Sequence, residues 1–143
     1  RLYYAHVFCI RECSKVFAGA FGDESSTVPI IADGGVRCNG DISKAMVAGA
    51  KLVMAGGMFA SCIDSPALSS IINGVSHKAY FGSASFENKG HENHIEGKLN
   101  HITSSNMTYE FKLNEIKQDI QSAISYAGGN NLNAFEEVRY IEV

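Results

Sequence analysis

Residues 28–37 read VPIIADGGVR, an apolar run that stops at a carboxylate, Asp33, and passes straight into Gly34 and Gly35. A short apolar run bounded by turn residues predicts a strand over 28–33, buried on both faces as in a parallel sheet. Pro29 fits the first turns of such a strand and not its middle. The pattern returns at 51–59, KLVMAGGMF, which predicts a second buried strand ending in Gly56 and Gly57. Between them, NGDISKAMVAGA (39–50) predicts a helix with Asp41 as N-cap, Gly49 as C-terminal stop, and Ile42, Ala45 and Met46 as its apolar stripe. Strand, helix and strand occupy about 30 residues, the size of one βαβ unit, for which a right-handed crossover is expected.

Upstream, AHVFCIRECSKVFA (5–18) spaces Val7, Ile10, Val16 and Phe17 as an amphipathic helix would. Residues 19–27 read as loop, and INGVSHKAYFGSAS (72–85) as a hairpin around Asn73-Gly74. Residues 86–106 hold almost nothing apolar and are expected to form a long mobile loop or flap. Residues 109–129 predict a long helix, with Leu113, Ile116, Ile120 and Ile124 on one face and Gly128-Gly129 closing it. VRYIEV (138–143) reads as a terminal extended segment.

At 143 residues the chain suffices for one domain, and with 45% hydrophobic and 19% charged residues it should be globular. A net charge of −3 argues against nucleic acid as the main partner, since phosphate backbones select basic surfaces. No apolar run reaches the roughly 18–20 residues of a membrane span, and no signal-peptide pattern is visible. Cys9, Cys13, Cys38 and Cys62 make no CxxC pair. Cys9 and Cys13 are expected to be buried small hydrophobes, no metal site is expected, and the usage fits a reducing cytoplasm. His91 and His94, in the polar loop, are expected to be solvated.

Two successive strands that each end in Gly-Gly suggest chemistry at the strand tips. Glycine lets backbone N–H groups approach a ligand with no Cβ in the way, and clustered N–H groups at a helix start favour an anion. Tight turns with no ligand would leave the same trace. Asp33 is placed to accept hydrogen bonds, for example from sugar hydroxyls. YFGSAS (80–85) adds the Tyr80 hydroxyl, a glycine and two serines, which suit the edge of a flat polar ligand or an ordinary turn. HIEGK (94–98) puts Glu96 in the flap.

Taken in order, PIIADGGVR, NGDI, VMAGGMFA, YFGSAS, EGK and DIQSAISYAGG resemble GMP reductase, within the IMP dehydrogenase/GMP reductase family, over residues 28–143. IMP dehydrogenase shares ADGG and the second Gly-Gly but usually reads YRGMGS after the hairpin, so YFGSAS and SYAGG look more like the reductase. The resemblance implies an α/β chain forming the C-terminal portion of a (β/α)8 TIM barrel. Residues 1–82 would supply the last helix and strand units and a hairpin, 83–108 the flap, and 109–143 a C-terminal helix and strand.

It implies reduction of GMP to IMP and ammonia with NADPH in purine salvage, by a cytoplasmic homotetramer with neither nucleic acid nor membrane as partner. Asp33 then matches the ribose-holding aspartate. Gly34, Gly35, Gly56, Gly57 and Tyr80 match the phosphate set, and Gly82, Ser83, Ala84 and Ser85 the purine-lining stretch. Glu96 matches the catalytic flap acid, and Ser125, Tyr126, Ala127, Gly128 and Gly129 a cofactor-contacting segment. The family's nucleophilic cysteine, followed by threonine on an earlier barrel loop, has no counterpart in these residues. That absence and the start at Arg1 lead us to expect a truncated chain, inactive alone and active when part of the complete barrel. The alternatives are an IMP dehydrogenase, or a nucleotide-binding partial barrel without chemistry.

Overall fold

The computed structural model describes residues 2–19, 28–82, 85–90 and 98–139. The chain divides into two compact units, Arg1–Ala55 with Asn114–Val143, and Gly56–Leu113. Both mix helix and strand.

The first unit begins with α1 (Leu2–Gly19), the helix expected near the start. The pair β1 (Ile31–Asp33) and β2 (Leu52–Met54) is parallel, with Ala32 opposite Val53 and Asp33 opposite Met54. Helix α2 (Asn39–Val47) joins them, so the strand–helix–strand order holds. Neither strand is buried on both faces: Ile31 is 52% exposed, Leu52 59% and Met54 53%. The reason lies in the alternation of side chains across a strand. Ala32 is buried in a core with Ala45 and Ala50, on which Ile10 of α1 and Val53 pack, while the opposite face stays open within this unit. On α1 itself, Val7 and Ile10 are half-buried, whereas Val16 and Cys9 and Cys13 are exposed, contrary to the burial expected for the cysteines.

Asp41 is not the N-cap of α2. Cys38 takes that position with extended backbone (φ −142°), and Asp41 is the third helical residue. From there its carboxylate reaches back: Oδ2 accepts the N–H groups of Arg37 at 2.9 Å and Cys38 at 3.2 Å. This is the carboxylate half of a capping box, which satisfies amides that the helix start leaves without partners. Asp41 is only 8% exposed. The expected stop is present: Gly49 adopts φ +110°, and a Cβ there would collide with the Ser14 side chain of α1. Asn39 ties the start of α2 to α5 (Tyr109–Tyr126), its Nδ2 donating to Glu115 Oε2 at 3.2 Å and Asp119 Oδ2 at 2.6 Å. A short 3-10 helix, Leu132–Glu137, buries Phe135 and follows α5. It precedes the expected terminal extended segment, of which residues 140–143 lie outside the described ones.

The second unit opens with α3 (Gly56–Ala60), which corrects the long strand expected over 51–59. The chain leaves β2 at Met54 and turns helical two residues later. Strands β3 (Ser69–Ile72) and β4 (Val75–Tyr80) form the expected hairpin, with Asn73 (φ +51°) and Gly74 (φ +78°) as its two-residue turn. Positive φ at both positions matches the right-handed twist of the strands, and Asn-Gly meets that need at little cost. The stretch read as a bare loop contains more structure than expected. Helix α4 (Phe86–Lys89) lies within it, and β5 (Asn100–Thr103) pairs antiparallel with β4. Polar residues on β5 hid it, because a strand on a sheet edge needs backbone pairing rather than apolar alternation.

Burial raises the pKa of Asp41, and hydrogen bonds from the Arg37 and Cys38 amides and the Cys38 thiol, with the Lys44 ammonium nearby, more than offset it. The net shift is downward. A folded-state pKa below the unfolded value of about 3.9 contributes stability that is complete above that pH and is lost as pH falls through the folded value. Asp41→Asn should cost about 1–2 kcal/mol in urea unfolding at pH 7 and flatten the acid loss below about pH 4. Parallel stability-against-pH curves for the two proteins would refute this role.

Candidate functional site

At the tip of β1, Asp33 is exposed and the chain turns through Gly34 (φ +86°) and Gly35 (φ +75°). Two consecutive residues in the left-handed region require glycine here. A second constraint acts on Gly35 alone: a Cβ would lie 2.6 Å from His6 Nδ1 of α1. At Gly34 such an atom would meet nothing, so that side of the peptide is open. Behind the turn, His6, Val7, Ile10, Ala32, Val36 and Asp41 line a shallow, open hollow. Asp41, through the amides of Arg37 and Cys38, holds the segment immediately after the glycines.

In the second unit, Gly56 and Gly57 form the first turn of α3, where backbone N–H groups have no intrahelical acceptor. Tyr80, the last residue of β4, is half-buried and lays its ring against Gly56, so that a Cβ on Gly56 would run into the phenol oxygen. The structure thus brings Gly56, Gly57 and Tyr80 together. The Tyr80 phenol therefore lies beside the first turn of α3, whose amides have no intrahelical acceptor, and such donors suit an anionic oxygen. Gly82 is exposed, whereas Ser85 is fully buried, precedes α4 as its N-cap, and has no partner for its Oγ among the described residues. Ser83, Ala84, Glu96, His91 and His94 lie outside the described residues.

At the end of α5, Ser125 and Tyr126 are exposed, Tyr126 at 92%. Ala127 and Gly128 turn the chain, Gly128 at φ +83° with its N–H donating to the Ser125 carbonyl at 3.0 Å. Gly129 is required by space, since a Cβ there would strike the Ala134 side chain.

Two residues, His6 and Lys78, carry no functional signal in the sequence. His6 was one more polar position on a helix, and only the fold sets it against Gly35. Asp41, expected at the N-cap, is the third residue of its helix. Lys78 is 4% exposed, and its only trace in the sequence is its spacing of two from Tyr80 on a strand. Among the described residues no group of three or more His, Cys, Asp or Glu side chains could hold a metal ion, and no helix is long and apolar enough to cross a membrane.

The family pattern described as IMP dehydrogenase / GMP reductase domain matches residues 6–142. A protein named GMP reductase from Bacillus subtilis strain 168 is 44% identical over 120 residues, which are 84% of this chain and 36% of the relative. GMP reductases of Streptococcus equi subspecies equi and Staphylococcus saprophyticus are 46% and 44% identical over 115 residues, 80% of this chain and 35% of each relative. The chain therefore spans about a third of the length of these relatives. The strand-tip glycines, Asp33 and Tyr80 all fall within the matched family region, and on that match the chain belongs to the IMP dehydrogenase/GMP reductase family of oxidoreductases.

Proposed function

We propose that this chain is the nucleotide-holding part of a GMP reductase, which converts GMP, NADPH and two protons into IMP, NADP+ and ammonium. The observation that carries the reading is the Tyr80 hydroxyl set against Gly56 in a chain whose relatives are named GMP reductases. The Gly56 and Gly57 amides and the Tyr80 hydroxyl take the phosphate, which brings about two negative charges at neutral pH. By the resemblance, Gly34 and Gly35 match the family's phosphate-binding positions and Asp33 its ribose-holding aspartate. Gly82, Ser83, Ala84 and Ser85 line the purine; the buried Ser85 Oγ, which has no hydrogen-bond partner among the described residues, supports a polar role there.

Glu96 holds and delivers protons at the departing amine, as a flap acid that closes over a bound nucleotide. We do not assign the covalent nucleophile to Cys9, Cys13, Cys38 or Cys62. None of the four is followed by threonine, the next residues being Ile10, Ser14, Asn39 and Ile63, and Cys62 is also buried with its thiol turned to the Met58 carbonyl at 3.8 Å.

NADPH supplies the hydride when bound. The residues at the end of α5 fit such a group: a nearly fully exposed Tyr126 ring offers a stacking face, and the turn from Ala127 to Gly129 leaves backbone beside it. The resemblance extends the reading to a complete TIM barrel, closed by residues beyond this chain, in a cytoplasmic homotetramer serving purine salvage. The open face of Ile31, Leu52 and Met54 supports the barrel, because a strand pair with one bare apolar face calls for further layers.

Two measurements on the full-length enzyme test this. Tyr80→Phe should weaken GMP binding roughly 10-fold or more, the value of a hydrogen bond to a charged group, and leave guanosine binding unchanged. Glu96→Gln should lower kcat by about 100-fold or more, with GMP affinity retained. Normal turnover in the Glu96 variant removes that residue from the chemistry. NAD reduction with IMP, without NADPH consumption with GMP, would instead identify an IMP dehydrogenase, and GMP binding without either reaction a binding protein.

A further inference from the structure

Among the described residues Lys78 is the one buried basic side chain, at 4% exposure. Burying an ammonium is costly unless all its donors are satisfied. Here they are met by backbone: Nζ donates to the carbonyls of Ile63 at 3.2 Å, Ser65 at 3.2 Å and Ala67 at 3.3 Å. The three acceptors alternate along the segment between α3 and β3, so that the chain wraps the ammonium with every second carbonyl. Lysine has three N–H donors, and all three are used. No carboxylate pairs with it among the described residues. A methionine would fill the same space with no desolvation penalty, so the charge has a use other than filling.

That use is visible in what the segment holds. Ser65 Oγ, inside that segment, donates to the carbonyl of Ala60, the last residue of α3, at 2.7 Å. Lys78 thus grips the segment that grips the end of α3. Two residues along β4, on the same strand face, Tyr80 presses on Gly56 at the start of α3. One face of one strand therefore restrains α3 at both ends. A five-residue helix has too few internal hydrogen bonds to hold its own direction, so these restraints set where its first amides point.

We propose that Lys78 is a positioning residue for the nucleotide's phosphate: by caging three carbonyls of the segment from Ile63 to Ala67, it aims the Gly56–Gly57 backbone at the point the Tyr80 hydroxyl faces. This rests on the reading of those three residues as phosphate contacts. It concerns affinity for the anionic tail and not the chemistry at the purine.

The test uses the full-length enzyme with GMP and guanosine as ligands. Lys78→Met should raise the GMP KM about 10-fold, leave kcat at saturating GMP within about 2-fold, and leave the guanosine dissociation constant unchanged. Ser65→Ala, a milder loosening of the same segment, should shift GMP alone in the same direction by a smaller factor, and it carries the test if Lys78→Met does not fold. Equal weakening of GMP and guanosine, a fall in kcat at unchanged KM, or no change would overturn the role of Lys78. A wild-type enzyme that binds guanosine as well as GMP would instead overturn the phosphate reading, and Lys78's role with it.

Discussion

The strand tips of both units depend on space that two glycines leave empty. Gly35 yields its Cβ volume to the His6 imidazole, and Gly56 yields its own to the Tyr80 phenol. Each is a packing constraint before it is a ligand feature: a methyl group at either position meets a ring. The backbone that results is bare on one side and backed by an aromatic or heteroaromatic side chain on the other. Polar ligands can then meet N–H groups without crossing side-chain bulk, and the ring behind prevents the peptide from retreating. At Gly35 the left-handed backbone adds a second reason for glycine and at Gly34 it is the sole one, whereas Gly56 is required by space alone.

How much of this was legible in the sequence depended on whether the responsible contact was local. The Asn73-Gly74 turn, the α2 stop at Gly49 and the end of α5 at Gly128 all follow from backbone conformations that one or two residues encode. The parallel pairing of β1 and β2 followed from two apolar runs joined by a helical one. Burial did not follow, because an apolar run says that a strand wants cover on both faces, not that both are covered. Strand β5 was missed because its partner, β4, lies about 20 residues earlier, and pairing at that distance leaves no periodic trace in NHIT. At the site, the glycines and Tyr80 stood out by type, while His6 and Lys78 are common surface residues whose importance comes only from what the fold sets beside them.

Asp41 serves the start of α2 from the third helical position rather than from the N-cap. Read as an N-cap, it would have accepted amides ahead of it in the helix; as the third helical residue it accepts those behind it, at Arg37 and Cys38. The difference matters for the strand tip. Its carboxylate belongs to a residue six positions after Gly35 but reaches back to the amides two and three positions after that glycine, and so ties the helix start to the end of the turn segment rather than to its own first coil. The acidic side chain is thereby part of the turn's architecture, separate from Asp33, whose carboxylate stands exposed at the strand end.

Strand β4 is the middle member of its sheet, bonded to β3 on one edge and to β5 on the other. A phenol carried by such a strand has little rotational or translational freedom left to surrender. Any molecule that meets Tyr80 therefore encounters a stationary hydroxyl, and the entropic penalty of arranging that contact was met once, during folding, instead of at every encounter.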